Sequence, residues 1–315
     1  MSRYARHLAL PEIGAAGQAR LARTRVLVAG AGGLAASVLP LLVGAGVGEV
    51  RLADPDVVEE SNLHRQTLFR LADLGRPKAR AAAGALAGLN PGCRLVPRDL
   101  RLDPVSAAAE MAGVDLVLDA ADSGVLTYAL SDLCHAAGVP LVAASVLGRA
   151  GHVGGFCGGA PSYRAVFPTL GAGATCATGG VMGPAVAALG ALQAQMALSV
   201  LLGHAPSPLG QAMSVDLAGW SVRSFRFDRA PEPGPGPVVL APGQVGAGDA
   251  VFDLRAPGEG AVFAGAARLA PEAVARIATA GRAVFVCATG TRAWRAAEAH
   301  LARGAASPPG VIAAG

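Results

Sequence analysis

Short apolar runs alternate along the chain with longer stretches in which apolar positions recur every three or four residues. Residues 26–29, 50–53, 94–96, 116–119 and 141–144 read as strands, and 35–43, 78–89, 104–112, 127–137 and 182–202 as helices. Such alternation predicts parallel strands joined by helical crossovers, a doubly wound, Rossmann-like α/β sheet that is mostly parallel. Residues 1–24 are amphipathic and read as helical segments, and 56–70 as a polar loop with a short helix. Residues 147–156 predict a switch to antiparallel strands, an antiparallel extension of the sheet. Residues 157–180, rich in Gly, Ala, Pro and Thr with no clean period, predict a loop. The Pro- and Gly-rich stretch 228–249 predicts a stiff linker between one domain at 1–227 and a small α/β domain at 250–315. The latter has strands near 250–254 and 282–287 and a helix at 291–303.

The composition narrows the function classes. Of 315 residues, 52% are hydrophobic and 15% charged, enough apolar material for a sizeable core. The net charge of +4 carries no dense Lys/Arg run, so a nucleic-acid partner is not expected. Cysteines stand at 93, 134, 157, 176 and 287, and no two have metal-ligand or disulfide-framework spacing. Individual thiols in a reducing, cytoplasmic setting are expected, with no secretory signal at the N-terminus. Residues 185–203 have the length of a membrane span. Gln193 and Gln195 lie within them, no basic flank adjoins them, and they read as a buried or interface helix rather than a membrane contact.

The first strand runs into Ala-Gly-Ala-Gly-Gly at 29–33. Gly30, Gly32 and Gly33 permit a sharp turn and a close ligand approach, and the helix that follows points free amides at that ligand. About twenty residues on, the second strand ends at Asp54, placed to accept a ribose hydroxyl. These features suit either a dinucleotide or ATP. Further polar groups follow. Arg65 offers a planar donor fork for phosphate. Lys78 falls in the first turn of a helix, where the dipole disfavours a cation unless an anion sits nearby. Asp122, after the fourth strand, is placed to hold Mg²⁺. Two cations and an extra acid favour a metal-bound triphosphate over a nicotinamide cofactor, although an NAD-dependent oxidoreductase accounts for the glycine turn and Asp54.

Residues 1–226 resemble the MoeB/ThiF/HesA family of adenylyltransferases, relatives of ubiquitin-activating enzymes. The likeness rests on Arg-Tyr-Ala-Arg at 3–6, the turn at 30–35 and Gly-Ala-Gly-Val-Gly at 44–48. It continues in Ser-Asn-Leu-His-Arg-Gln-Thr at 61–67, Gly-Arg-Pro-Lys at 75–78 and Gly-Val-Met at 180–182. The resemblance implies ATP-dependent adenylation of the Gly-Gly carboxylate of a small ubiquitin-like sulfur-carrier protein. It implies that Gly33, Asp54, Asn62, Arg65, Lys78 and Asp122 serve ATP and Mg²⁺. It also implies that Arg6 reaches the nucleotide from the partner subunit of a homodimer, and that Cys176 lies on a crossover loop able to form acyl-sulfur bonds. A member that binds nucleotide or carrier without turnover is the other reading within the family. The chain departs from the pattern at Ser123, where the family usually has Asn, and at Thr127, near an expected arginine. Family members often hold structural zinc with two Cys-x-x-Cys pairs; here Ser162 and Ala165 stand at the first, and the second is absent. No zinc is expected.

Residues 282–292 end a strand at Cys287, cross a short loop and enter a helix, an arrangement whose amides face a thiolate. Together with Val-Phe-Asp-Leu-Arg at 251–255, this resembles a rhodanese-like sulfurtransferase domain. That implies a persulfide on Cys287, loaded by a persulfide sulfur donor, with Arg292 holding the loop.

Overall fold

The computed structural model describes residues 3–170, 179–277, 279 and 281–315. Two short N-terminal helices, α1 (Ala5–Leu8) and α2 (Gly14–Leu21), precede strand β1 (Arg25–Ala29). In chain order follow α3 (Gly33–Ala45), β2 (Glu49–Ala53), α4 (Lys78–Leu86), β3 (Arg94–Arg98), α5 (Pro104–Met111), β4 (Leu116–Asp119) and α6 (Gly124–Ala137). Next come β5 (Pro140–Leu147), β6 (Ala150–Cys157), α7 (Tyr163–Val166), α8 (Gly183–Leu202), β7 (Gln211–Asp216) and β8 (Ser221–Arg226). These strands form one sheet of eight in the order β3-β2-β1-β4-β5-β6-β7-β8, parallel from β3 to β5 and antiparallel from β5 to β8.

Strand alternation divides the core. Val26, Val28, Val50, Leu52, Leu116 and Leu118 pack with α3, α4 and α8 on one face. Leu27, Ala29, Val117, Leu141 and Ala143 pack with α5 and α6 on the other. Pro97 lies within β3, where its missing N–H is tolerated because β3 is an edge strand. Helix α8, the one described helix long and apolar enough to cross a membrane, has half of its apolar window buried inside the fold. It lies against α3, β5 and β6, in keeping with a buried or interface helix.

A second, five-stranded parallel sheet has the order β11-β10-β12-β13-β9. Its strands are β9 (Val238–Val239), β10 (Ala250–Asp253), β11 (Ala267–Arg268), β12 (Ala283–Cys287) and β13 (Gly310–Ala313), with α9 (Thr291–Leu301) between β12 and β13. The stretch expected to be only a linker, 228–249, therefore contributes β9, which pairs with β13 at Val238 and Val239, and a short 3₁₀ turn at Pro242–Gln244. Helix α9 also ends at Leu301 rather than 303. The two sheets share apolar contacts: Val125 and Tyr128 of α6 lie in one buried cluster with Phe285, Cys287 and Trp294.

Candidate functional site

The site lies where β1 has β2 on one side and β4 on the other, the switch point at which an open α/β sheet leaves a crevice. Gly30 has φ +96°, and a Cβ there would meet the Ala120 carbonyl oxygen at 2.8 Å. Glycine is required because the turn bends through the left-handed region and runs against the end of β4. A Cβ on Gly33 would meet Val186 at 2.7 Å and Arg65 Cγ at 3.5 Å, so this glycine lets α3 and α8 start side by side beneath Arg65. No side chain caps either helix start, at Gly32 for α3 or Met182 for α8. The first-turn amides of α3 are thus free to meet an anion, whereas in α8 Pro184 has no N–H and Ala185 N–H already donates to the Met182 carbonyl at 3.0 Å.

Asp54 is 6% exposed, and both its oxygens are engaged: Ala31 N–H donates to one at 2.7 Å and Asp56 N–H to the other at 2.8 Å. Burial pushes its carboxyl above the ordinary range, against the lowering effect of those amides. The carboxylate expected for a ribose hydroxyl is thus also the buttress of the glycine turn, with one lone pair per oxygen left over. Lys78 is 7% exposed, and its Nζ donates to Asp56 at 3.0 Å. The anion demanded by a lysine at a helix start is, in the chain by itself, this carboxylate. Asn62 is buried, and its Oδ1 accepts from Glu59 N–H in a 3₁₀ turn, Glu60–Asn62, which positions Arg65. Arg65 is half-buried; its Nη1 donates to the Ser61 carbonyl at 3.0 Å and lies 2.8 Å from His64 Nε2. Among the described residues it makes no ion pair.

Gln66 was not singled out by sequence reasoning. It is 4% exposed, its Oε1 is buried without a hydrogen-bond partner, and its Nε2 lies 3.7 Å from where a Gly32 Cβ would stand. A buried, unpaired amide oxygen beside the glycine turn is a polar group placed for a ligand. Its signal was adjacency: it directly follows Arg65.

At the end of β4, Asp119 is 1% exposed. Burial pushes it up to about 6, with the Thr127 hydroxyl and Ala121 N–H opposing and the Asp122 carboxylate adding to the rise. Asp122 itself is exposed, two residues before α6 begins. Ser123 caps α6 by accepting from Leu126 N–H, and Thr127 Oγ1 donates to the Ser123 carbonyl. Both departures from the family pattern therefore serve the local helix start.

The remaining candidates lie elsewhere. Arg6 is exposed on α1, which packs at the far end of α3: a Cβ on Gly46 would meet Tyr4 Oη at 2.6 Å. Helix α3 has 13 residues, about 20 Å at 1.5 Å per residue, so Arg6 is remote from the glycine turn of its own chain. Cys176 lies outside the described residues. Cys287 ends β12 fully buried, with Ala293 N–H directed at its Sγ at 3.4 Å. Arg292 Nη2 is bonded to Glu259 at 2.6 Å beside the same loop. The zinc positions do not suit a metal. Ser162 donates its N–H and hydroxyl to the two oxygens of Glu232, at 2.7 and 2.6 Å, and the Arg164 guanidinium follows two residues later. Ser162 and Glu232 thus satisfy each other as donor and acceptor, and no cluster of three or more metal-binding side chains occurs among the described residues.

Comparison with known proteins agrees with this geometry. The ThiF family description matches residues 4–235. The chain is 37% identical over 234 residues to the "SAMP-activating enzyme E1" of Haloferax volcanii, covering 73% of this chain and 85% of that protein. It is 42% identical over 231 residues to "Adenylyltransferase and sulfurtransferase MOCS3" of Bos taurus, covering 72% of this chain but 51% of that protein. The match thus spans about half the length of the latter relative. Among solved structures, E. coli MccB superposes with a TM-score of 0.64 at 22% identity, covering 73% of this chain and 71% of the other, which speaks for the fold. The glycine turn at the β1/β4 switch point, the Arg65–Gln66 pair above it and the family match across 4–235 lead to one conclusion: this chain belongs to the ThiF family.

Proposed function

We propose that this chain adenylates the C-terminal carboxylate of a small ubiquitin-like sulfur-carrier protein with ATP, and that Cys287, loaded as a persulfide by a persulfide donor, then attacks the adenylate through its outer sulfur. AMP is displaced to form an acyl disulfide, which a second thiol cleaves to the thiocarboxylate, leaving a disulfide on Cys287. One observation carries the first half. Arg65, a guanidinium with no carboxylate partner among the described residues, sits over Gly33 where two uncapped helices begin. A carrier carboxylate oxygen attacks the α-phosphorus in line, pyrophosphate departs, and the carrier holds AMP as a mixed anhydride. The protein contributes position and charge: turn amides and Arg65 bind the phosphates, Lys78 exchanges Asp56 for a phosphate oxygen, and Gln66 fixes the ligand beside Gly32. Asp122 would hold Mg²⁺, which neutralises the polyphosphate.

Arg6 is assigned to the site of a second copy, because α3 separates it from its own. Leu41 of α3, which is exposed, and Leu198 of α8, which is half-buried, line a cavity of about 340 Å³ together with Pro40, an apolar surface suited to that homodimer. A cytoplasmic setting suits the described cysteines, all free.

The test is pyrophosphate exchange. With labelled pyrophosphate, the chain is expected to form labelled ATP only when a carrier ending in Gly-Gly is present. Exchange without a carrier, or hydride transfer with a nicotinamide nucleotide, would point to another reaction.

A further inference from the structure

The family's zinc would tie the segment at 162–165 to the chain near 230. Here the same segments are tied by side chains, and the tie extends to the second sheet. Ser162 is bonded to Glu232, as described. Arg164 donates from Nε and Nη2 to the two oxygens of Asp132, each at 2.6 Å, and from Nη2 to the Pro237 carbonyl at 3.2 Å. Its guanidinium carbon also lies 4.8 Å from the centre of the Tyr128 ring and 4.7 Å from that of Trp294. Those two rings are 4.7 Å apart. One side chain, 13% exposed, thus joins α7, α6, the approach to β9 and α9. A bidentate carboxylate pair fixes the guanidinium plane, and desolvated cation–π contacts bind it to both rings.

The same seat covers the cysteine loop. Gly290 has φ +79°, and a Cβ there would stand 3.0 Å from both methyl groups of Val125, in the first turn of α6. Cys287 is 0% exposed, in one buried cluster with Val125, Tyr128 and Trp294. A thiol without surface meets neither a sulfur donor nor a carrier.

We infer that Arg164 is a positioning residue that latches the second sheet onto α6 in a closed seat, and that chemistry at Cys287 begins when this seat opens. Its meaning for sulfur transfer rests on the function proposed above, but its test reads thiol access alone. When opening is fast and labelling slow, the labelling rate follows the open population.

The experiment is alkylation of the folded full-length chain with iodoacetamide, followed at Cys287 by peptide mass spectrometry. In the natural chain, labelling is expected to be at least about tenfold slower than after unfolding in urea. Arg164→Ala is expected to raise the native rate by about tenfold or more, and Asp132→Asn by a few-fold, through loss of one side of the latch. Circular dichroism establishes that each variant is folded, and the milder Asp132→Asn carries the test if Arg164→Ala is not. Cys287 labelling in the natural chain as fast as in urea, or unchanged rates in the folded variants, overturns the latch. Pyrophosphate exchange is expected to be unchanged in both variants. Its absence from the natural chain would remove the adenylation reading while leaving the labelling result to stand by itself.

Discussion

Each of the two sheets ends a parallel strand in a buried aspartate. Asp119 closes β4 at 1% exposure and Asp253 closes β10 at 0%. Burial pushes both carboxyls up, yet Asp119 reaches about 6 and Asp253 falls to about 2. The difference is a cation. Asp253 is bonded to the Arg255 guanidinium, with Nη2 at 2.8 Å, and accepts the amides of Arg255 and Phe263. Asp119 meets only neutral donors and the nearby Asp122 carboxylate. The second sheet has thus spent its charge on a fixed internal pair that braces residues 253–263. The first keeps the Arg65 guanidinium without an ion-pair partner among the described residues beside its crevice, where a substrate could use it.

The sharpest separation of the two regions is Cys287→Ala. Thiocarboxylate formation is expected to vanish while carrier-dependent pyrophosphate exchange continues at its natural rate; mass spectrometry finding normal thiocarboxylate would count against the second sheet as sulfur carrier. Next, Arg65→Ala is expected to slow exchange by at least about 100-fold, roughly 3 kcal/mol, without loss of fold. Near-normal exchange would remove Arg65 from the phosphates. Asp253→Asn leaves Arg255, 8% exposed, without its counter-charge, and is expected to cost about 3–5 kcal/mol in urea unfolding. A loss below 1 kcal/mol would make the brace ornamental.

A pH series probes the same contrast with smaller effects. Asp119 holds its proton more tightly folded than unfolded, so its contribution is full below about pH 4 and is lost as pH rises through about 6. Asp253 does the reverse: its contribution is present above about pH 4 and is lost as pH falls through about 2. Each amounts to roughly 2–3 kcal/mol. Asp119→Asn is therefore expected to flatten the stability profile between pH 4 and 6 in thermal unfolding, and an unaltered slope there would place the titration elsewhere. Last, a zinc chelator is expected to leave the melting temperature unchanged, since Ser162–Glu232 and Arg164–Asp132 hold the segments that zinc would hold. A fall of several degrees would reveal a metal.

The glycine turn, the strands that flank it and the Cys287 loop were legible because they depend on residues close in sequence. Less was legible where distant partners decide. Val238–Val239 sits among prolines and glycines and becomes a strand only by pairing with β13, more than seventy residues away in sequence. The β7–β8 hairpin was not anticipated: β8 is an edge strand, mostly exposed, and lacks a buried apolar face, with Trp220 86% exposed at its turn. Spacing called for an anion near Lys78, but only the fold brings Asp56 to it. The contrast between Asp119 and Asp253 cannot be read from the residues on either side of them.

The Lys78–Asp56 contact has a consequence for how nucleotide enters. Asp56 is 57% exposed, whereas Lys78 is almost wholly enclosed. The lysine thus carries a resident counter-ion on the solvent side, one that a phosphate must displace. This makes nucleotide affinity a competition between two anions. Replacing the resident carboxylate by a neutral amide, Asp56→Asn, is expected to tighten ATP binding by a few-fold in calorimetric titration at low salt, with the gain shrinking as ionic strength rises.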